Sequence, residues 1–415
     1  MERVILHSDI NACYANVERL YDPSLCRGPM AVCGDVEARH GIVLSKDELA
    51  KRAGVKTGMA IWQARQVCPE LQVVAPHFDR YLKYSRMIQE IYCQYTDLCE
   101  PFGIDESWLD ITGCLLHPDG KEAALEIKRR VYRETGLTVS IGVSWNKVLA
   151  KLGSDYKKPD AVTVIDRAHF HAMVWPLPAS DLLMVGRSTA RTLARLGIGT
   201  IGELAQADPD LLRQRLGKMG LLIHAYANGQ DRSPVRRTGD EPPPKSIGNS
   251  TTTPRDLVCD RDVWLTFLTL AESVGARLRE QGFRCRTVEI SLRTPELAWS
   301  SHRTRLFRPT DCTRDLLECA MQLFRECHEW PGPLRSVGLR AAELVRTDAP
   351  EQLDLFTDYA RLSRRQGLDQ ALDKIRGKYG YESIRYAAAM HDEQLGALNA
   401  REEHTIHPVG FAHAD

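Results

Sequence analysis

The chain has 415 residues, of which 43% are hydrophobic and 27% charged, with 55 Lys and Arg balancing 55 Asp and Glu. This length exceeds one ordinary domain, and the apolar fraction excludes a disordered or fibrous protein. No apolar run approaches the roughly 18 residues that a membrane helix needs, and the first residues show no signal-peptide pattern. We therefore expect a soluble, cytoplasmic protein of several domains without a membrane partner.

The cysteines and the distribution of charge narrow the class further. The twelve cysteines are irregularly spaced without a C-x-x-C pair, so we expect reduced, mostly buried thiols rather than a zinc module or disulfide framework. Zero net charge would argue against a nucleic-acid partner. By segment, however, residues 161–235 carry 8 basic against 6 acidic residues, residues 236–346 carry 18 against 15, and residues 347–415 carry 8 against 12. The net charge of zero therefore results from basic and acidic segments that cancel one another.

Hydrophobic periodicity in the first 167 residues predicts a mixed α/β or α+β layer arrangement. The predicted strands are 4–10, 29–34, 41–45, 104–111 and 137–143, and the predicted helices are 15–21, 46–53, 61–68, 80–98 and 122–134.

The remaining residues divide into three further parts. Glycine-punctuated short helices over 182–196 and 208–229 predict a small helical domain, which a stiff, basic, proline-containing linker follows. A second α/β unit comes next, and then one amphipathic helix around Leu368, Ala371, Leu372 and Ile375 before a polar end. The elements predicted in the second unit are helices 263–281 and 314–330 and strands 288–293, 302–307 and 336–344.

Three acidic residues stand at the ends of apolar strands: Asp9, Asp105 and Glu106. Carboxylates on neighbouring strands repel one another unless a cation compensates, and oxygen ligands favour Mg²⁺. Two such ions about 3.5–4 Å apart are the recurring device for phosphoryl transfer. The alternative is that these residues are solvated acids without a shared role.

Three ordered segments, Asp9–Ala15, Gly103–Asp110 and Ser140–Leu152, together with Asp155–Pro159, resemble the Y-family DNA polymerases and most closely their DNA polymerase IV branch. The resemblance covers about residues 4–346. It implies an α+β multidomain, right-hand polymerase with palm, fingers, a helical thumb that contains a helix-hairpin-helix, and an α/β little finger. The implied domains are palm 1–10 and 78–167, fingers 11–77, thumb 168–231, linker 232–248, little finger 249–346, and a clamp-binding peptide and tail 347–415.

The resemblance also implies the roles of the acidic residues. Asp9 and Asp105 would bridge two Mg²⁺ ions, for which Mn²⁺ could substitute, Glu106 would complete the site at the 3′-hydroxyl side, and the main-chain carbonyl of Ile10 would be a further ligand. We interpret Asp110 as structural rather than as a ligand.

Tyr14 matches the steric-gate position of the family, where a bulky ring excludes a 2′-hydroxyl group and selects deoxynucleotides. The alternative is an ordinary core aromatic residue. Cys13 precedes it where the family more often has a second aromatic residue.

The family's triphosphate ligands Thr, Tyr and Arg correspond here to Ser45, Glu48 and Lys51. Ser45 and Lys51 can donate to phosphate, whereas ionised Glu48 cannot, so we expect Glu48 to orient Lys51 or Lys46. Lys158 matches the family's phosphate-binding lysine. Two further lysines, Lys147 and Lys151, are interpreted as a solvated helix face.

Three segments are candidates for holding DNA and a partner protein. Residues 182–198 resemble a helix-hairpin-helix whose Gly186 would approach a phosphate, although Met184 replaces its usual first glycine; an ordinary αα-hairpin is the alternative. Alternating arginines on two strands suit a phosphate backbone, with a solvated sheet face as the alternative. A pentapeptide with two apolar anchors resembles the motif by which bacterial polymerases dock on the sliding clamp. The arginines are Arg284, Arg286, Arg303 and Arg305, and the peptide residues are Gln352, Leu353, Leu355 and Phe356.

The predicted function is template-directed addition of deoxynucleotides to a primer, with low-fidelity synthesis past damaged bases during repair. The partners would be primer–template DNA, a deoxynucleoside triphosphate and the sliding clamp, and the chain would act as a monomer. Two alternatives remain at this point: a non-catalytic clamp-bound adaptor with the same fold, and another palm-type nucleotidyltransferase such as a nucleotide cyclase.

Overall fold

The computed structural model describes residues 2–35, 41–114, 119–240, 242–350 and 358–400. Two compact units account for them, one containing residues 2–34 and 42–240 and the other containing the residues from 242 onward. No helix within these ranges is both long enough and apolar enough to cross a membrane. The predicted clamp peptide, 352–356, lies outside the described residues.

The first unit contains two sheets and a helical part. Its five-stranded sheet has the order β5-β6-β1-β7-β8, and its three-stranded sheet has the order β3-β2-β4. In chain order the elements are β1 (Ile5–Ile10), α1 (Cys13–Tyr21), β2 (Met30–Cys33), β3 (Val43–Lys46), α2 (Glu48–Arg52), α3 (Ile61–Val67), β4 (Gln72–Val74), α4 (Phe78–Tyr92), β5 (Cys99–Pro101), β6 (Glu106–Asp110), α5 (Gly120–Thr135), β7 (Val139–Ser144), α6 (Lys147–Tyr156), β8 (Val162–Val164), α7 (Phe170–Val174), α8 (Arg187–Arg195), α9 (Ile201–Gln206), α10 (Pro209–Leu216) and α11 (Lys218–Ala227).

Strand β1 is the centre of the larger sheet, and all six of its residues are buried. It pairs antiparallel with both β6 and β7, so that Asp9 lies opposite Glu106 on one side and Ser140 on the other. Helix α6 packs on β7 so closely that a Cβ atom on Gly142 would lie 1.9 Å from the carbonyl oxygen of Ala150. Glycine at this position therefore lets α6 lie directly over the sheet.

The helical part confirms the predicted short helices. Gly217, whose positive φ of 64° suits glycine, separates α10 from α11. Met184 adopts a φ of 71°, in the left-handed region, and is 54% exposed. A glycine, which the helix-hairpin-helix resemblance implies here, would adopt that backbone without strain. Gly186 is the N-cap of α8 and has an ordinary φ of −76°.

The predicted linker is anchored along part of its length. Val235 is only 3% exposed and packs with Ile5, Trp108 and Ala150. The next residue, Arg236, donates from its backbone N–H to Glu100 Oε2 and from its guanidinium group to Glu100 Oε1, both at 2.9 Å. The remaining contacts are Arg237 Nη2 to Asp97 Oδ2 at 2.7 Å and the Thr238 N–H group to the carbonyl oxygen of Asp97 at 3.0 Å. We call residues 235–238 the anchored part of the linker.

The second unit is an antiparallel four-stranded sheet of order β11-β10-β12-β9, on which helices pack. Its first strand begins at Ser246, two residues before the predicted linker end at Gly248, and Gly248 pairs with Arg340 in the sheet. The elements are β9 (Ser246–Leu257), α12 (Asp260–Glu280), β10 (Phe283–Arg293), β11 (Trp299–Thr310), α13 (Thr313–Cys327), β12 (Leu334–Arg346), α14 (Tyr359–Tyr379) and α15 (Glu393–Gly396).

Helix α14 contains the predicted amphipathic stretch but does not bury its apolar residues. Leu368 is 52% exposed, whereas Asp369 and Arg376 are buried. Arg376 donates to Glu272 Oε1 at 2.6 Å, and Arg279 binds Asp373 Oδ2 at 2.6 Å. Ion pairs to α12 therefore fix the rotation of this helix.

Candidate active site

The three predicted acidic residues meet at one end of two paired strands. Asp9 is the penultimate residue of β1 and lies opposite Glu106, the first residue of β6. Asp105 immediately precedes β6, and its carbonyl oxygen accepts a hydrogen bond from the Ile10 N–H group at 2.9 Å. Backbone pairing alone therefore brings residues 9, 105 and 106 together.

Asp9 and Asp105 are costly to keep ionised. Burial, followed by the charge of Glu106, raises the pKa of Asp9 to about 6, against the opposing effect of Lys158. Burial, together with the charges of Asp9 and Glu106, raises the pKa of Asp105 to about 7. These carboxylates repel one another and are poorly solvated. A bound cation would reduce this electrostatic repulsion.

Two lysines supply positive charge to this cluster. Lys158 Nζ donates to Asp9 Oδ2 at 2.6 Å, and Lys151 Nζ lies 2.8 Å from Glu106 Oε2. Asp155 connects the two lysines, at 2.7 Å from Lys158 and 3.4 Å from Lys151. Burial is the largest influence on Asp155 and opposes its ionisation, but the two lysines outweigh it and lower its pKa.

The interpretation of Lys147 and Lys151 as a solvated helix face is wrong. The Lys151 side chain is 16% exposed and that of Lys147 is 12% exposed. Lys147 Nζ binds Glu100 Oε2 at 2.7 Å and lies 4.3 Å from the centre of the Trp108 ring. Because α6 lies directly on the sheet, its lysine face meets buried carboxylates instead of water.

His7 is a part of the site that we did not predict from the sequence. It is fully buried, and burial, followed by the charge of Lys151, lowers its pKa to about 3, so the ring is neutral. His7 Nδ1 contacts Ser154 Oγ at 2.8 Å, and Nε2 lies 3.2 Å from Glu106 Oε2. The sequence did contain an indication of this role: His7 lies two residues before Asp9 on the same strand, and strand alternation places both side chains on the same face.

The donor set suits a hard divalent cation, although the side chains are not arranged around one. Within the described ranges, no group of three or more His, Cys, Asp or Glu side chains is placed to hold a metal ion. Lys151 and Lys158 instead form ion pairs with the Glu106 and Asp9 carboxylates. Glu106 Oε2 is nevertheless buried without a well-directed hydrogen bond, since its contacts with Lys151 and His7 are poorly angled. Oxygen-only donors with an uncommitted lone pair fit Mg²⁺, provided that the lysines yield their positions.

Tyr14 lies next to this cluster and is held by aromatic contacts. Its ring stacks on Tyr81 with centroids 4.3 Å apart and planes 5° apart, and it meets Phe78 edge-on at 5.7 Å. Tyr81 in turn donates its hydroxyl group to Glu18 Oε1 at 2.6 Å. Glu18 is 2% exposed and also binds Arg80 at 2.8 Å. This chain of contacts fixes the Tyr14 ring, and neither Tyr81 nor Glu18 was predicted.

The candidate phosphate ligands lie on the smaller sheet and its helix. Ser45 is on β3, opposite Val32, and Lys51 is on α2 with its side chain 54% exposed. Glu48 Oε2 lies 3.5 Å from Lys51 Nζ, so the contact expected between these two residues is present. Lys46 instead donates to Thr57 Oγ1 at 3.1 Å.

The predicted arginines of the second unit lie on β10 and β11. Arg303 and Arg305 are exposed, and Arg305 Nε lies 3.4 Å from Glu343 Oε2. The pairing of β10 with β11 shifts register between Cys285 and Thr287, whereas β10 keeps a regular register with β12 at the same residues. Arg284 donates to the carbonyl oxygen of Thr347 at 2.9 Å. The β11 arginines are therefore the more accessible pair.

Comparison with known proteins identifies the family of the chain. Residues 8–155 match the impB/mucB/samB family, and residues 244–355 match its C-terminal domain. DNA polymerase IV of Acetivibrio thermocellus is 45% identical over 399 residues, which cover 96% of this chain and 100% of that relative. DNA polymerase IV 1 of Bacillus subtilis is 38% identical over 395 residues, which cover 94% of each.

A solved chimera of Y-family DNA polymerases has the same fold. Its TM-score is 0.72 at 22% identity, and the match covers 83% of this chain and 99% of that chain. The fold is thus that of a Y-family polymerase, and the predicted α+β multidomain class is confirmed. The chain belongs to the impB/mucB/samB family of Y-family DNA polymerases, in which its similar relatives are DNA polymerases IV.

The raised pKa of Asp105 predicts a pH-dependent stability in the absence of divalent metal. The pKa of this carboxyl group is about 7 in the folded chain and has an ordinary value of 3.8. The folded chain therefore loses free energy of unfolding as the pH rises from 3.8 to about 7, because the ionised group is less favourable in the folded state. Replacing Asp105→Asn removes this loss. The variant should therefore gain free energy of unfolding relative to wild type between pH 5 and pH 8, on the order of 1–3 kcal/mol. Urea unfolding in EDTA measures this free energy. The prediction would be contradicted if the difference between variant and wild type were the same at pH 5 and at pH 8.

Proposed function

We propose that the chain adds deoxynucleotides to a DNA primer on a template, with low fidelity and past damaged bases, and that Asp9, Asp105 and Glu106 form its catalytic centre. The observation that carries this proposal is the meeting of these three carboxylates on paired strands beneath two lysines. Membership in the Y family supports the reaction class.

Each element of the site has a role in this reaction. Two bound divalent cations would supply electrostatic stabilisation of the attacking and leaving oxygens. Asp9, Asp105, Glu106 and the main-chain carbonyl of Ile10 provide the oxygen donors. Lys158 donates to Asp9 at 2.6 Å. When a triphosphate binds, Lys158 would release the Asp9 carboxylate and donate to a triphosphate oxygen instead. Ser45 and Lys51 would contact the same triphosphate, and Tyr14 would pack beneath the sugar.

The two alternatives explain less. A clamp-bound adaptor without catalysis would have no need for three clustered carboxylates, whose mutual repulsion raises the pKa of Asp105. A nucleotide cyclase would not account for the match of residues 244–355 to the C-terminal domain of the family.

We also propose the domain assignment of palm 1–10 and 78–167, fingers 11–77, thumb 168–231, linker 232–248, little finger 249–346, and a clamp-binding peptide and tail 347–415. In this assignment Gly186 of the thumb and the four arginines of β10 and β11 contact the DNA backbone. The exposure of Arg303 and Arg305 supports a phosphate role for these two residues. A cytoplasmic monomer that uses Mg²⁺ or Mn²⁺ completes the proposal.

Primer extension with Mg²⁺ tests the catalytic centre. Asp105→Asn should reduce extension on the order of 10³-fold, because it removes a charged donor from the site where negative charge develops. Asp110→Asn is the matched control: it lies at the far end of β6, where it binds the Thr112 N–H group at 3.0 Å, and should retain activity. Equal extension by wild type and Asp105→Asn would overturn the assignment.

Ribonucleotide discrimination tests Tyr14. Tyr14→Ala should raise incorporation of ribonucleotides relative to deoxynucleotides on the order of 10²-fold, because the ring that blocks the 2′-hydroxyl group is lost. Tyr21→Ala, at the other end of α1, controls for loss of an aromatic side chain. Unchanged discrimination in the Tyr14 variant would reject the gate.

The sliding clamp is a proposed partner through Gln352, Leu353, Leu355 and Phe356. The sequence motif supports this, as does its position between β12 and α14, which both belong to the second unit. Combined Leu355→Ala and Phe356→Ala changes should leave extension without the clamp intact and abolish stimulation by the clamp. Stimulation that persists in the double variant would refute the partner assignment.

A further inference from the structure

Tyr81 lies directly behind Tyr14 and is completely buried. The Tyr14 ring is half-buried, and one of its faces lies against the Tyr81 ring, with centroids 4.3 Å apart and planes 5° apart. Phe78 meets both rings edge-on, at 5.7 Å from Tyr14 and 5.5 Å from Tyr81. Because protein interiors are close-packed, a group that presses on the opposite face of Tyr14 presses this ring onto Tyr81. Whether Tyr14 can yield therefore depends on whether Tyr81 can move.

The hydroxyl group of Tyr81 is fixed by two hydrogen bonds. It donates to Glu18 Oε1 at 2.6 Å and accepts from the His77 N–H group at 3.0 Å. Burial, followed by the hydrogen bond to Glu18, raises the pKa of Tyr81, so the hydroxyl group keeps its proton and stays a donor. A hydrogen bond to a carboxylate is stronger than one between neutral groups, and a shift of the Tyr81 ring would lose it.

Glu18 is itself held from several sides. It follows Tyr14 by one turn of α1, and only 2% of it is exposed. Its Oε2 atom accepts from Arg80 at 2.8 Å, and its Oε1 atom also lies 3.0 Å from His77 Nδ1. A buried carboxylate that is paired with an arginine stays an acceptor in a fixed place. Residues of α1 and of the start of α4 thus hold the Tyr81 hydroxyl group between them.

We propose that Tyr81 and Glu18 are positioning residues that make Tyr14 a rigid barrier to the 2′-hydroxyl group of a ribonucleotide. Exclusion by a steric clash requires a wall that does not yield, because a ring that can retreat by about 1 Å relieves much of the clash. Tyr81 prevents this retreat through the hydrogen bond of its hydroxyl group to Glu18. Since Tyr14 packs beneath the sugar only in the proposed function, both roles rest on that function.

Tyr81→Phe in the full chain tests the hydrogen bond, because it keeps the stacked ring and removes only the hydroxyl group. Incorporation of ribonucleotides relative to deoxynucleotides should rise on the order of tenfold, since Tyr14 can then yield. The rise should come mainly from a lower KM for the ribonucleotide, with kcat/KM for the deoxynucleotide within about twofold of wild type. Tyr95→Phe is the matched control: it removes a hydroxyl group that donates to Glu126 at 3.1 Å, and it should leave the ratio unchanged.

The double variant Tyr14→Ala, Tyr81→Phe separates this role from a general loss of packing. A positioning residue acts only through the ring that it supports, so the double variant should discriminate as Tyr14→Ala alone does. Additive effects of the two changes, or an unchanged ratio in Tyr81→Phe when Tyr14→Ala raises it, would overturn the positioning role and leave the proposed function intact. An unchanged ratio in Tyr14→Ala would instead reject the gate itself, and with it the role of Tyr81.

Discussion

The first unit depends on how buried negative charge at the end of β1 is compensated. Asp9, Asp105 and Glu106 are placed together by strand pairing, and burial raises the pKa of Asp9 and of Asp105. The compensation comes from α6 and the residues just after it, where Lys151 and Lys158 reach the carboxylates. That reach requires the helix to lie directly on β7, which the absence of a side chain at position 142 permits.

The same constraint explains which parts of the site the sequence could predict. The acidic trio was predictable, because carboxylates at the ends of apolar strands leave a local pattern. The contact of Lys151 with Glu106 was not, because helical spacing alone cannot tell a face turned to water from one turned to a buried acid. His7 and Glu18 were missed for a related reason: a polar residue inside an apolar run has a visible position, but its partners are set by tertiary packing.

The second unit shows a similar limit in its outer helix and at its boundary. The apolar positions of α14 predicted a helix correctly, but ion pairs from Arg279 and Arg376 determine how it packs. Composition predicted a linker but not the anchoring of Val235 and Arg236, because a single apolar residue and a single buried partner such as Glu100 leave no periodic signal. Local pattern thus gave the elements, and long-range contacts decided their orientation.

The central claim is that the acidic trio becomes a divalent-metal site when the lysines yield to an incoming triphosphate. Counting bound Mn²⁺ by electron paramagnetic resonance tests it most directly, using the chain with primer–template DNA and a non-hydrolysable deoxynucleoside triphosphate. The account predicts two bound ions per wild-type chain and a loss of at least one in Asp105→Asn, with no loss in Asp110→Asn. The same number of bound ions in wild type and Asp105→Asn would contradict it.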